Sequence, residues 1–324
     1  MIDKTFRGVN WRCDIEHMRG IDHMKMKRKL LLLAAALLAC FPAWALADVF
    51  VNNVRQTPDD DGKIAITQDM NGATISGSGE NVYLEVAKGV TRLTLENLTV
   101  TAPKIEGNSC SALRVTGNNN LTLIIKGSNT LTGSTNEDEF GGSGITASGD
   151  LTIIGEAGSS LIAMGGSGSS DYIGGSGDGI ASDTLEINTE GVVTAIGGEG
   201  KGSLGICVDG VKVSGAGVVT AKGRDYAAGK LDNDDPDIVL LVPVEADGLV
   251  IRAGESEESA VVVDGYTELT KYLRISGTSA PDGAAAIGNA DLPQTGDGSR
   301  MGLWCLLACA SMLGMAALRA KKVA

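Results

Sequence analysis

Histidine is almost missing from this chain. Two of its 324 residues are His, His17 and His23, and both precede residue 24. Tryptophan is scarce as well, with Trp11, Trp44 and Trp304 all lying near the two ends. The stretch 48–295 therefore cannot hold a Ser-His or Cys-His nucleophile pair, and it has no indole to lay against a sugar ring. Its aromatic side chains are Phe50, Phe140, Tyr83, Tyr172, Tyr226, Tyr266 and Tyr272. Of six cysteines, only Cys110 and Cys207 fall inside it. Positive charge is short too: between 48 and 295, 15 Lys+Arg face 35 Asp+Glu, a net −20 where the whole chain carries −13. Nucleic acid and anionic lipid both require a basic footprint, so neither is an expected partner. Divalent cations are permitted. No segment of 48–295 repeats its apolar residues with a helical period.

The two ends carry what the middle lacks. Met24-Lys25-Met26-Lys27-Arg28-Lys29 is a basic lead, Leu30–Ala39 an apolar run, and Ala45-Leu46-Ala47 before Asp48 an A-x-A cleavage site. Together they read as a secretory signal peptide over 24–47. Residues 1–23 fit neither a signal nor a domain, so translation is expected to begin at Met24 or Met26. Leu37-Leu38-Ala39-Cys40 also resembles a lipobox, but the apolar run continues past Cys40 to the better peptidase site at Ala45 and Ala47.

Near the other end stands Leu292-Pro293-Gln294-Thr295-Gly296. Pro293 fixes its own φ and keeps Leu292 extended, which suits an enzyme cleft. The apolar run Met301–Leu318 would span about 27 Å as a helix, close to the hydrocarbon core of a bilayer. Arg319, Lys321 and Lys322 would hold its end on the cytoplasmic side. This order resembles the sorting signal of Gram-positive surface proteins. The resemblance implies that a sortase attacks the carbonyl of Thr295, releases Gly296 onward and passes the acyl group to a peptidoglycan precursor. The protein is then expected to be secreted and covalently anchored to the cell wall, touching the membrane only through the helix before sorting.

The middle of the chain repeats. Ser143–Gly155, Asp178–Ile187 and Leu204–Gly215 share one wording, with looser copies at Ser111–Leu123 and Leu93–Leu95. A second strand ending in Thr or Ala follows each: Thr130–Thr132, Leu161–Ala163, Val192–Ala195 and Val218–Ala221. The leading core positions Leu93, Leu121, Leu151, Leu185 and Val211 are separated by 28, 30, 34 and 26 residues. Such periods indicate stacked repeats. The strands are too short for propeller blades and are divided by Gly and Asn corners, which suits a parallel β-helix with one repeat per coil. The run Asn118-Asn119-Asn120 fits a corner, because Asn tolerates left-handed backbone and its amide can ladder between coils. Strands are also expected at Phe50–Val54, Lys63–Thr67 and Ala73–Ser76, and beyond the repeats at Ile238–Val244, Gly248–Ala253, Ala260–Val263 and Tyr272–Ser276.

The expected architecture is thus all-β: a leader over 1–47, a parallel β-helix (solenoid) over 48–228 and a C-terminal β segment or cap over 229–280. A linker with the sorting motif over 281–300, a transmembrane helix over 301–318 and a basic tail over 319–324 complete it. In this register Cys110 and Cys207 are three coils apart, roughly 14 Å, against a limit near 7 Å between the Cα atoms of a disulfide. Two unpaired, mostly buried thiols are expected.

Length varies at one phase of the repeat, in the Gly-rich stretches Gly133–Gly144, Gly165–Gly179 and Gly197–Gly205. Insertions at one phase cluster on one side of a solenoid, often the binding side. They carry Glu137, Asp138, Glu139, Asp171 and Asp178 as candidate calcium ligands, and Phe140 and Tyr172 as candidate glycan contacts. The nonapeptides Gly165–Ile173 and Gly174–Ser182 nearly match the calcium repeat G-G-x-G-x-D-x-U-x, although Asp falls at position seven and then five instead of six. Solvated Gly/Ser loops are the plainer reading. Asp232–Asp237 shares only composition with an EF-hand loop.

The wording Gly-Ile, a short corner, Asp-Leu-Thr-Ile, Gly and a strand ending in Thr-Ala, over about residues 80–280, resembles a family of exported bacterial β-helix proteins described as carbohydrate-binding. The resemblance implies binding of cellulose or polygalacturonate, with calcium. Other parallel β-helices resemble pectate lyases, but the basic residues Arg92, Arg114, Lys126, Lys212, Lys222 and Arg224 mostly alternate with core positions, as solvated faces do. The expected function is a non-catalytic carbohydrate-binding or adhesive module on the cell surface. The alternatives are a structural spacer without a ligand and, behind it, a polysaccharide-degrading enzyme.

Overall fold

The computed structural model describes residues 48–136, 140–169, 175–232 and 238–277. The signal peptide, the sorting motif and the apolar run after it lie outside these residues. Among the described residues no helix is long and apolar enough to cross a membrane.

The chain opens with β1 (Asp48–Val51), β2 (Val54–Arg55), β3 (Lys63–Ile66), β4 (Thr74–Glu80), β5 (Tyr83–Val86) and β6 (Arg92–Thr101). The next coils are β7 (Leu113–Val115), β8 (Leu121–Lys126), β9 (Ser128–Thr132) and then β10 (Ile145–Ala147), β11 (Leu151–Gly155), β12 (Ser160–Met164). After them come β13 (Ile180–Ala181), β14 (Leu185–Thr189), β15 (Val192–Ile196), β16 (Leu204–Cys207), β17 (Val211–Ser214) and β18 (Val218–Lys222). The chain ends with β19 (Tyr226–Leu231), β20 (Val239–Leu240), β21 (Val244–Glu245), β22 (Val250–Gly254), β23 (Val261–Val263) and β24 (Tyr272–Ser276).

Each coil lays one strand on each of three faces. The first face stacks β6, β8, β11, β14 and β17, the second β6, β9, β12, β15 and β18, and the third β3, β5, β7, β10, β13, β16 and β19. All these pairs are parallel. The strand β6 serves two faces by bending at Asn97, whose φ of 52° is one that Asn tolerates. This is the parallel β-solenoid that the repeat predicts.

Inside, like stacks on like. Leu121, Leu151, Leu185 and Val211 form one column, and Leu93, Leu123, Ile153, Ile187 and Val213 the next. Leu113, Ile145, Ile180 and Ile206 form a third from the opposite side. All are buried. At about 25 cal/mol per Å² of apolar surface, these columns are the main favourable term.

One register expectation fails. Leu93 stacks on Leu123, not on Leu121, so that repeat is 30 residues long instead of 28. A slip of two residues keeps every side chain on its face, so apolar alternation alone cannot detect it. The expected strand at Ile238–Val244 is two, β20 and β21, separated by a stretch that contains Pro243. The flanking strand Phe50–Val54 likewise divides at Asn52 and Asn53, both with positive φ.

The ends are closed by antiparallel pairing. β1 pairs with β4 and β2 at the start. At the finish β24 runs against β18, then β22 and β23 extend the same sheet. Parallel register nevertheless persists into the C-terminal segment, where β19 continues from β16 and β21 from β17. Cys110 is buried, Cys207 half-buried, and both are free, as their separation by three coils requires.

Asn129 breaks the aliphatic pattern. It occupies the column of Leu161, Val193 and Val219 and is 1% exposed. Its Oδ1 accepts from Leu98 N–H at 3.0 Å, and its Nδ2 donates to the carbonyls of Lys126 at 2.9 Å and Ser160 at 3.2 Å. The amide thus gives Leu98 N–H, beside the bend of β6, an acceptor and supplies a donor to the carbonyls of Lys126 and Ser160. Asn129→Leu would restore the repeat pattern yet strand those groups, each at about 1–3 kcal/mol. Denaturant unfolding is expected to show this variant less stable than the parent, although it adds apolar volume to the core.

Candidate functional site

Among the described residues, the Gly-rich side does not consist of free loops. Its outgoing and returning limbs interleave, and their backbones bond along the solenoid axis. Gly198 N–H donates to Gly177 O at 2.9 Å, Gly177 N–H to Gly166 O at 3.0 Å and Gly166 N–H to Gly142 O at 2.7 Å. Gly142 N–H then donates to Ser134 O at 2.8 Å and Ser134 N–H to Cys110 O at 2.9 Å. The limbs lie so close that a Cβ on Gly166 would run into Ser134 O, and one on Gly177 into Gly142 O. Glycine is needed here for close approach of backbones, beyond its usual use at corners.

This lattice holds Asp178, one of the candidate calcium ligands. Its Oδ1 accepts from Leu204 N–H at 3.0 Å, its own N–H donates to Ser143 Oγ at 3.1 Å, and its carboxyl is hydrogen-bonded to the Cys207 thiol. Burial pushes the carboxyl up to about 7, and the bonds to Leu204 and Cys207 only partly offset this. Calcium takes about 6–8 oxygen ligands, and Asp178 would bring to such a set a carboxyl already hydrogen-bonded to an amide and a thiol. Among the described residues no three His, Cys, Asp or Glu side chains stand together as a metal site. Glu137, Asp138, Glu139, Asp171 and Tyr172 lie outside the described residues. Phe140 is described, and it stands about half exposed beside the lattice.

The two thiols are poor nucleophiles. Burial raises Cys110 to about 12, only partly countered by Arg114. Burial and then the Asp178 carboxylate raise Cys207 well above the ordinary thiol range. Both stay protonated at neutral pH, and the thiolate is the reactive form.

Among the described residues a concave feature of the surface lies elsewhere, at the corner where the third face meets the first. A trough of about 380 Å³ crosses several coils there. Its corner row is Asn120, Asp150 and Thr184, each immediately before a leading core residue, Leu121, Leu151 or Leu185. Asn120 Nδ2 donates to Asp150 Oδ2 at 3.0 Å, Asp150 N–H returns a bond to Asn120 Oδ1 at 3.1 Å, and Thr184 Oγ1 donates to Asp150 Oδ1 at 2.6 Å. The floor presents Thr122, Thr152 and Glu186, one beneath another on successive coils. A carboxylate accepts about four hydrogen bonds, so Asp150 keeps capacity for outside donors while its position is fixed. The trough offers hydroxyls, an amide and two carboxylates at intervals of one coil.

Sequence reasoning put the site on the Gly-rich side and missed this corner. The signal was present as the polar residue preceding Leu121, Leu151 and Leu185, but that position also reads as an ordinary solvated corner.

Asp178 makes stability depend on pH. Its carboxyl titrates near 7 when folded, above its usual 3.8. The folded state is therefore favoured fully below the lower value and loses that contribution as pH rises through 7. Asp178→Asn keeps an acceptor for Leu204 N–H and cannot ionise. Its melting temperature relative to the parent is expected to rise between pH 5 and pH 8; a pH-independent difference would refute the assignment. Comparison with family models, with curated proteins and with solved structures finds no match for this chain.

Proposed function

We propose that the solenoid is a non-catalytic carbohydrate-binding, adhesive module displayed on a Gram-positive cell wall, with the corner trough as its ligand site. Secretion through the 24–47 signal and sortase transfer at Thr295 to a peptidoglycan precursor would deliver it. The observation that carries the reading is the Asn120, Asp150 and Thr184 row above Thr122, Thr152 and Glu186. Sugars present closely spaced hydroxyls that both donate and accept, and a repeated row of amide, carboxylate and hydroxyl groups answers them without aromatic stacking. The row's negative charge favours a neutral glycan over an acidic one unless calcium bridges the two.

A structural spacer without a ligand is the second reading. The interlocked glycine backbones favour it, because they consume the groups that free loops would offer a partner. A polysaccharide lyase has less support, since the basic residues stay scattered over the outer faces.

A glycan array with and without calcium separates these readings. The module reading expects binding that Asp150→Ala weakens roughly 10-fold or more, the range for a hydrogen bond to a charged group. Binding abolished by chelator would place calcium in the interaction. No binding in either condition would leave the spacer.

A further inference from the structure

The C-terminal cap sets two arginines directly opposite each other. Leu273 and Ile275 on β24, and Ile251 and Ala253 on β22, belong to the core. Side chains alternate along a strand, so Tyr272, Arg274 and Ser276, and with them Arg252, point to the outer side of the sheet. The antiparallel register pairs Arg274 with Arg252 on one side and with Thr220 on the other. Like charges directly opposite destabilise a sheet. In a stretch where 15 cations face 35 acids, two neighbouring arginines are not the expected pairing.

Arg274 is only 7% exposed, and its Nε is buried with no hydrogen-bond partner among the described residues. A donor on a charged group is costly to bury unmatched. Tyr272 is hydrogen-bonded to Arg274, and burial and then Glu257 raise its hydroxyl while Arg274 and Arg252 draw it down, so both guanidiniums lie beside that hydroxyl. Lys222 Nζ adds a third cation, 5.4 Å from the centre of the Tyr272 ring. The acids of the adjoining turn are held by lysines, Glu257 by Lys222 at 3.2 Å and Glu255 by Lys271 at 3.6 Å.

We propose that Arg252 and Arg274 together hold a carboxylate on the outer side of the cap. Planar guanidiniums match the two oxygens of that group; its charge offsets their repulsion and gives Arg274 Nε an acceptor. Two sources share this chemistry. One is the chain itself, in which Asp282 and Asp291 follow Gly277 by 5 and 14 residues, outside the described residues. Five residues reach up to about 17 Å, and Arg274 stands three residues before Gly277, about 10 Å along the strand. An acid tethered so near is present at high effective concentration. The other source is a free carboxylate from solution. The site is distinct from the corner trough, none of whose lining residues it uses.

Thermal unfolding of the full chain tests this independently of any glycan. Without an anion, Arg274→Met removes an orphaned donor and a like-charge pair, and the melting temperature holds or rises. With one, Arg274→Met is expected to lower it by roughly 3 °C or more, the scale of a lost hydrogen bond to a charged group. Arg252→Met takes its place throughout if Arg274→Met does not fold. Asp282→Asn and Asp291→Asn are then measured in the parent and in the Met variant. A loss in the parent that vanishes in the Met variant identifies the chain's own carboxylate. A gain with sodium acetate over sodium chloride at equal ionic strength, seen in the parent and not in the Met variant, identifies a carboxylate from solution. A Met variant at least as stable as the parent overturns the proposal. So does the absence of both the aspartate coupling and the acetate effect.

Discussion

Everything in this protein depends on residues stacking on their counterparts one coil above. The backbone ladder between parallel strands fixes the distance, and the inward column of Leu, Ile and Val supplies the driving force. Neither works without the other. A single coil has no interior of its own, so its apolar side chains are buried only because its neighbours hold the same register. That is why the ends are closed by antiparallel strands: the first and last coils each have an open side that no further repeat covers. β1 against β4 and β24 against β18 provide that closure.

The same constraint sorts the surface into distinct faces. Because coils repeat in register, any outward residue type that recurs becomes a row, and a row becomes a patch. The corner row of Asn120, Asp150 and Thr184 is polar and concave. The second face is uncharged over β9, β12 and β15. The Gly-rich limbs make a third surface whose backbone groups are already spent on one another. One repeat thus offers three chemically different surfaces.

Much of this was legible in the residues. The recurring Gly-Ile and Leu-Thr-Ile wording was sufficient for a parallel solenoid, and the register it implied kept Cys110 and Cys207 apart. What escaped had physical reasons. Leu93 and Leu95 both point inward, so a two-residue slip left the pattern intact and only the strand pairing distinguishes the alternatives. Asn129 reads as a surface residue, and its burial follows from backbone groups freed by the bend at Asn97, which lies a full coil earlier in the chain. The Gly-rich stretches read as open loops because glycine and serine are the usual loop residues. Their interleaving depends on contacts between limbs far apart in sequence.

The glycine lattice has a consequence for how the protein meets its surroundings. A protease needs a run of residues it can pull straight into its cleft and pair with its own backbone. On the Gly-rich side that pairing is already made, from Gly198 through Gly177, Gly166 and Gly142 to Ser134 and Cys110. Opening one limb breaks bonds to the coils on both sides of it. Among the described residues, the composition that ordinarily marks a flexible cut site here marks backbone already paired and held away from a protease's cleft.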